Sequence, residues 1–356
     1  MDKKIFFVLN RLGGEGWGGA HRVAIILANY LSKKKYDVSI IVWQKSPIDY
    51  PIDDDIELIC FNFDKINEKN RILACFKMRN IFKQFKGAYV YAFMSRIAID
   101  VFLSALFLKF KIIASERTDP NREPKKLIFR LIRNMFFCFM YKTVYQTNDA
   151  KSYFPKLAQK KGYVIPNPIS PSLPQPYMGK RKKEFVTFCR IDEQKNLYLM
   201  INSFIKVHKK YKDFVLKIYG NGIIENQIKQ YIYENNAEEF IILYGFTKDI
   251  HNIILDSYAY LSTSDYEGMS NSMLEALAIG LPSICTDCPI GGARTIIKNE
   301  VNGILIPVGN EDQLTMSMIR LIENEDLCYK LSKNALKVRE QLSEEKICSK
   351  WERLMY

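Results

Sequence analysis

Ile165-Pro166-Asn167-Pro168-Ile169-Ser170-Pro171-Ser172-Leu173-Pro174-Gln175-Pro176 carries five prolines in twelve residues, and its reading divides the chain. Proline fixes φ and removes a backbone donor, so this stretch can be neither a helix nor a central strand. It reads as a linker. Upstream, the strand-like run Lys4–Leu9 leads through a glycine-rich loop into a helical pattern over Ala20–Ser32. Further apolar runs recur at Asp37–Trp43, Ile56–Phe61, Ala88–Phe93, Ile112–Ser115 and Thr143–Tyr145. Downstream the alternation restarts, with strands expected at Phe185–Cys189, Val215–Tyr219, Ile241–Tyr244, Ala259–Ser262, Ser283–Cys285 and Gly303–Ile306. The runs are continuous rather than alternating, as strands buried on both faces should be. Two β/α arrays of this kind predict an α/β chain with two doubly wound parallel sheets. The expected division is residues 1–168, a linker at 169–182 and a second domain at 183–340. The tail, Ala335–Tyr356, reads as one or two amphipathic helices.

The totals agree with that division. A chain of 356 residues exceeds one comfortable core. With 48% hydrophobic and 26% charged residues it is globular rather than disordered. Eight scattered cysteines suit buried thiols in a reducing compartment. Cys285 and Cys288 form one CxxC, without the second pair or nearby histidine that a zinc site needs. No signal peptide is evident, and apolar stretches are broken by charges before bilayer-spanning length. A cytoplasmic protein, attached to a membrane only at its surface, is expected.

Charge is distributed unevenly. Residues 1–180 hold 30 Lys+Arg against 15 Asp+Glu, whereas the remainder is close to neutral. An acidic partner is therefore expected for the first half alone. Two segments there, 71–86 and 125–142, mix basic residues with large apolar ones, a composition attracted to anionic lipid. Core helices with a solvated basic face are the alternative. Aromatics interleaved at strand positions are not evident, so nucleic acid is not the expected partner.

Ligand chemistry in doubly wound sheets gathers at the carboxyl ends of the strands. Arg190 follows the strand Phe185–Cys189, and Lys195 is placed at the start of the next helix, where a cation is misplaced unless an anion sits there. In Glu267-Gly268-Met269-Ser270-Asn271-Ser272-Met273-Leu274-Glu275 two carboxylates stand eight positions apart, Glu267 before a helix and Glu275 about two turns into it. Backbone N–H groups at Gly268 and Ser270–Asn271 could hold a phosphate, and the acids could accept from sugar hydroxyls. A capped helix is the plainer reading, but it leaves Glu275 unexplained within an apolar run.

Arg190…Gln194-Lys195-Asn196, the Glu267/Glu275 pair and the following Ala276…Gly280-Leu281-Pro282 resemble the family 4 retaining glycosyltransferases of GT-B architecture. Thr286-Asp287-Cys288-Pro289-Ile290-Gly291-Gly292-Ala293-Arg294 resembles a branch that builds capsule, O-antigen and related bacterial glycans. The resemblance implies two Rossmann-like domains facing a cleft, with a C-terminal helix, about 340–356, returning to the first. It implies that Arg190 and Lys195 bind the donor diphosphate and that Glu275 holds the ribose. Glu267 would contact the transferred sugar, with Gly268, Met269, Ser270 and Asn271 beside it, and Gly245-Phe246-Thr247 would border the base. Gly18 and Gly19 would lie over the donor. The co-substrate would be a UDP-sugar, with no cofactor and no obligatory metal, because the two cations can neutralise the leaving group. The acceptor would be a glycan hydroxyl, carried on polyprenyl diphosphate.

In the first half, Gly14, Gly16 and Gly19 satisfy GxGxxG, but no acid ends the second strand to hold a dinucleotide ribose. Asp53-Asp54-Asp55 contains a formal DxD that a solvated turn explains better. Ser115-Glu116-Arg117 ends a strand, and Glu116 and Arg117 are assigned to the acceptor or sugar, with a structural ion pair as the competing account. His21 reads as a surface helix residue, and His208 and His251 as helical residues without polar clusters. A nucleotide-sugar epimerase on the same architecture and a non-catalytic nucleic-acid or membrane-binding module are the competing functions.

Overall fold

A computed structural model describes residues 4–14, 19–65 and 67–356. The chain folds as two compact units, Met1–Pro168 with Glu344–Tyr356, and Ile169–Ser343.

The first unit is built on a seven-stranded parallel sheet in the order β3-β2-β1-β4-β5-β6-β7. The strands are β1 Ile5–Leu9, β2 Val38–Gln44, β3 Glu57–Phe63, β4 Tyr89–Phe93, β5 Lys111–Ser115, β6 Lys142–Tyr145 and β7 Gly162–Val164. β1, β2 and β4 are buried along their whole length, as their unbroken apolar sequences require. β3 and β7 close the sheet edges and are half exposed, so burial on both faces holds for the interior strands only. The chain adds β2 and β3 on one side of β1 and then returns to lay β4 on the other. The switch point therefore lies between β1 and β4.

The terminal helix Glu344–Glu352 completes this unit. Trp351 stacks on Phe93 with centroids 5.3 Å apart, and its carbonyl accepts from the Tyr91 hydroxyl at 3.1 Å. Glu352 pairs with Lys34 at 2.8 Å and accepts from Tyr36 at 3.0 Å. The aromatic contacts are buried and the polar ones lie at the rim, so the helix is held mainly by apolar area.

The second unit holds a six-stranded parallel sheet, β10-β9-β8-β11-β12-β13. Its strands are β8 Glu184–Phe188, β9 Val215–Tyr219, β10 Ile241–Tyr244, β11 Ala259–Ser262, β12 Ser283–Thr286 and β13 Ile304–Ile306. The same winding recurs, and the switch point falls between β8 and β11. The proline-rich span is not a free linker. Ile169 N–H donates to Leu342 at 2.8 Å, Arg339 to the Leu173 carbonyl at 2.6 Å, and Arg181 to the carbonyls of Gly280 and Ser257 at 2.7 and 3.0 Å. One guanidinium satisfying several carbonyls fixes the segment onto this unit.

Candidate active site at the switch point of the second sheet

All strands of the second sheet run parallel, so the loops after β8, β9, β10, β11 and β12 leave from one edge. The loops after β8 and β11 flank the switch point, where an open α/β sheet offers its crevice. Arg190 and Lys195 come from the first loop and Glu267 from the second.

Lys195 closes a short 3₁₀ turn, Glu193–Lys195, and the helix that follows begins at Leu197. It therefore stands ahead of the helix rather than in its first turn. Asn196 causes the break. It adopts the left-handed conformation (φ 43°) and caps the helix by accepting from Leu199 N–H. This turn is stitched to the loop after β11. Asn196 Nδ2 donates to Asp265 Oδ1 at 2.8 Å, Gln194 Nε2 to the Tyr266 carbonyl at 2.7 Å, and Thr263 Oγ1 to the Lys195 carbonyl at 2.8 Å. The result is direct contact between Lys195 Nζ and Glu267 Oε2. Burial works against the Lys195 charge, but the Glu267 carboxylate outweighs it and holds the ammonium above the ordinary lysine range. Arg190, half exposed, reaches Asp192 at 3.2 Å and Gln194 at 3.4 Å. Cys189, between strand and Arg190, is pushed up to about 11 by burial and stays a neutral thiol.

Glu267 precedes the helix Asn271–Ala278, whose N-cap Ser270 accepts from Met273 N–H at 3.4 Å. Glu275 is the fifth residue of this helix, about one turn in rather than two, and only 6% exposed. Its Oε2 lies 2.8 Å from His251 Nε2. His251 thus does have a polar partner, contrary to the sequence reading, because the loop after β10 folds back over the helix. A Cβ on Gly292 would stand 1.8 Å from the Gly268 carbonyl, so only glycine lets that loop pass beside Gly268 and Met269.

Gly245, Phe246 and Thr247 follow β10. Phe246 N–H donates to Asn221 Oδ1 at 2.9 Å, and the residue is 70% exposed. Asn221 lies between Gly220 and Gly222, where an added Cβ would meet the carbonyls of Cys189 and Ile191 at 1.9 and 2.0 Å. This Gly-Asn-Gly turn escaped the sequence reading. Two glycines flanking a polar residue just past a strand end were the available signal. The structure thus gathers Arg190, Lys195, Glu267 and Gly268–Asn271 around the switch point, with Glu275 tied to the segment after β10.

The candidates in the first unit fare differently. Gly18 lies outside the described residues, and Gly19 begins the helix Gly19–Lys33. His21 is buried, 4% exposed, not a surface residue, because the inner face of that helix packs on the sheet. Glu116 is also buried. Its Oε1 accepts from Thr118 Oγ1 and from the N–H groups of Arg117 and Thr118, and its Oε2 faces the fully buried Arg133 at 3.5 Å. Burial raises its pKa against the pull of Arg133. The assignment of Glu116 to the acceptor gives way to the structural ion pair. Arg117 leans on the Phe93 and Trp351 rings and donates to Asn167. Its Nε and Nη1 find no hydrogen-bond partner among the described residues, and burial lowers its pKa to about 9.

Residues 19–146 match the family model described as glycosyl transferase 4-like, and residues 174–338 match that of glycosyl transferases group 1. An uncharacterised glycosyltransferase of Haemophilus influenzae is 25% identical over 99% of this chain and 100% of its own length. The UDP-Gal:α-D-GlcNAc-diphosphoundecaprenol α-1,3-galactosyltransferase of Escherichia coli is 25% identical over 89% of this chain and 87% of its own. Among solved structures, a mutant of S. aureus TarM in a complex containing UDP and α-GlcNAc-glycerol superposes with a TM-score of 0.82 at 14% identity, covering 99% of both chains. Matched in both of its parallel-sheet units, the chain belongs to the GT-B glycosyltransferases.

Proposed function

We propose that this glycosyltransferase moves a sugar, with retention, from a UDP-sugar to a hydroxyl of a lipid-linked glycan during bacterial surface-polysaccharide assembly. The observation that carries the reading is the Lys195–Glu267 pair at the switch point. A cation and an acid in contact there match the two ends of a sugar diphosphate. Lys195, with Arg190 beside it, takes the diphosphate, and Glu267 takes a hydroxyl of the transferred sugar. The C1–oxygen bond to the diphosphate breaks as the acceptor oxygen bonds to C1 from the same face. The departing phosphate oxygen takes the acceptor proton. Charge building on the diphosphate is met by preorganised cations, so no divalent ion is required for that step. The E. coli relative draws on UDP-Gal, and TarM holds UDP, which supports a uridine donor. The exposed Phe246 ring supplies an apolar face beside the base.

The acceptor of that relative is carried on diphosphoundecaprenol, and the first unit of this chain has a face suited to a membrane surface. Ile72, Leu73 and Phe76 are exposed on the helix Glu68–Phe82, Leu127, Ile128 and Leu131 on the helix Leu127–Phe137, and Phe107 stands 94% exposed in the turn after the helix Ser95–Ser104. The three helices are neighbours. Arg71 pairs with Asp100 and Phe102 meets Phe136 at 5.4 Å. Lys69, Lys83, Lys109, Lys125 and Lys126 are exposed and lie in these helices or within a few residues of their ends. Arg133 is interior and contributes nothing to the basic rim. No helix among the described residues is long and apolar enough to cross a membrane, so docking is peripheral in this reading. Arg117, with two unsatisfied donors, is the first-unit residue suited to an anionic acceptor group.

A panel of UDP- and GDP-sugars, offered with polyprenyl-diphosphate glycans, tests the proposal. The expected result is transfer from a UDP-sugar with the anomeric configuration kept, read by NMR of the product. Inversion would remove the retaining mechanism, and acceptor-independent conversion of the donor would favour an epimerase.

A further inference from the structure

His251 stands on the short helix Ile250–Ile253, just after the loop that begins at Gly245. Its Nε2 is 2.8 Å from Glu275 Oε2, and the two side chains are 25% and 7% exposed. The imidazole is itself held in place. Its ring meets Phe188 edge-on, at 5.8 Å and 87°, and Phe188 meets Tyr260 at 5.4 Å. The Tyr260 hydroxyl lies 2.9 Å from Ser272, on the same helix as Glu275. A chain of contacts thus runs from the segment beyond β10, through β8 and β11, back to the helix that carries the carboxylate.

We propose that His251 is a positioning residue: it fixes the Glu275 carboxylate in the orientation that grips the ribose of the nucleotide, and it couples that grip to the loop bordering the base. The inference rests on reading Glu275 as the ribose carboxylate. A carboxylate has about four lone-pair sites, so the hydrogen bond from His251 leaves acceptor capacity for a ribose hydroxyl. Without that bond the buried carboxylate loses one donor, and its side chain is held less firmly in the orientation that faces the nucleotide. Histidine plays the converse part in metal centres, where a carboxylate orients an imidazole, and loss of the outer partner there weakens binding by roughly 10–100-fold. His251 touches no reacting atom in this scheme. Its effect is on nucleotide affinity and passes entirely through Glu275.

Calorimetric titration of the full chain with UDP, 2′-deoxy-UDP and 3′-deoxy-UDP tests this. His251→Leu should weaken UDP binding roughly tenfold, whereas its deficit should shrink to near nothing on the analogue lacking the hydroxyl that Glu275 holds. His251→Gln, whose side-chain amide can donate to Glu275, should recover most of the loss. An equal deficit for UDP and both deoxy analogues, or no deficit at all, overturns the proposal, since a packing role would not distinguish the ligands. Glu275→Gln separates the two levels of the argument. If its deficit persists on both deoxy analogues, the ribose reading falls and the proposal with it. If the Glu275→Gln deficit vanishes on one analogue while that of His251→Leu does not, only the role of His251 is refuted. A wild-type chain that does not bind UDP also ends it. Should His251→Leu fail to fold, His251→Phe, which keeps a ring against Phe188 but has no donor for Glu275, decides: a UDP to deoxy-UDP ratio falling toward that of Glu275→Gln is expected, and a ratio equal to that of wild type refutes the bond's role.

Discussion

Replacing Lys195 by alanine removes the cation that the proposed mechanism sets against the leaving diphosphate. Lys195 and Glu267 are 13% and 22% exposed, so their surroundings are neither bulk water nor dry interior. With an effective dielectric near 20, two unit charges about 4 Å apart interact by about 4 kcal/mol. Part of that attraction already acts on the bound donor. The part that grows as charge gathers on the leaving diphosphate lowers the barrier. Glu267, stripped of its partner, would also repel the phosphate. Loss of one preorganised donor to a developing anion costs about 10²–10³ in rate, and that is the expected fall in kcat/KM for Lys195→Ala. The assay is the initial rate of UDP release with acceptor present, run beside Lys195→Arg, which keeps the charge and should lose less. Because the Lys195 ammonium is held above the usual range, wild-type activity should persist on the basic side until beyond ordinary lysine titration. Turnover of Lys195→Ala within a few-fold of wild type would refute the reasoning, as would a loss equalled by Lys195→Arg.

Three further outcomes follow from the geometry. Gly220→Ala places a Cβ 1.9 Å from the Cys189 carbonyl at φ 136°, so the loops after β8 and β9 must separate; about 1–3 kcal/mol of stability should be lost in urea melts, with weaker UDP binding. Arg133→Met leaves Glu116 buried without its cation and should cost about 3–5 kcal/mol, and adding Glu116→Gln should recover only part of it, because Arg133 also donates to the carbonyls of Pro120 and Glu123. Phe107→Asp combined with Ile128→Asp should lower affinity for vesicles containing anionic phosphatidylglycerol by tenfold or more, given about 1.5–3 kcal/mol per buried large apolar side chain; wild-type chain that ignores such vesicles at low salt would remove the docking face.

Much of the fold was legible because parallel strands buried on both faces must be continuous apolar runs. Val215–Tyr219, Ile241–Tyr244 and Ala259–Ser262 stand where the sequence places them, residue for residue. β7, Gly162–Val164, was missed for the same reason in reverse. It is a three-residue edge strand, half exposed, and Gly162-Tyr163-Val164 carries neither a run nor an alternation. The span 169–182 was misread as a linker because proline content reports backbone form and not attachment. The attachment comes from Arg181 and Arg339, whose carbonyl partners lie as far as 166 residues away in sequence.

The site divides along the same line. The placing of Arg190, Lys195, Glu267 and Glu275 near the strand ends was legible because each is a charge set at a strand end or inside an apolar helix, where solvation alone gives no reason for it. Glu116 had the same signature and a different fate. Its explanation is Arg133, seventeen residues on, which reads as one more cation on a basic amphipathic helix until the fold turns it inward. A buried acid at a strand end is therefore ambiguous until its counter-charge is located. Glu116 finds an arginine with no exposed surface, so neither charge is available to a ligand. Lys195 and Glu267 find each other with part of both side chains still open to solvent, and it is that remaining exposure, absent from the Glu116–Arg133 pair, on which the proposed re-partnering with a diphosphate and a sugar depends.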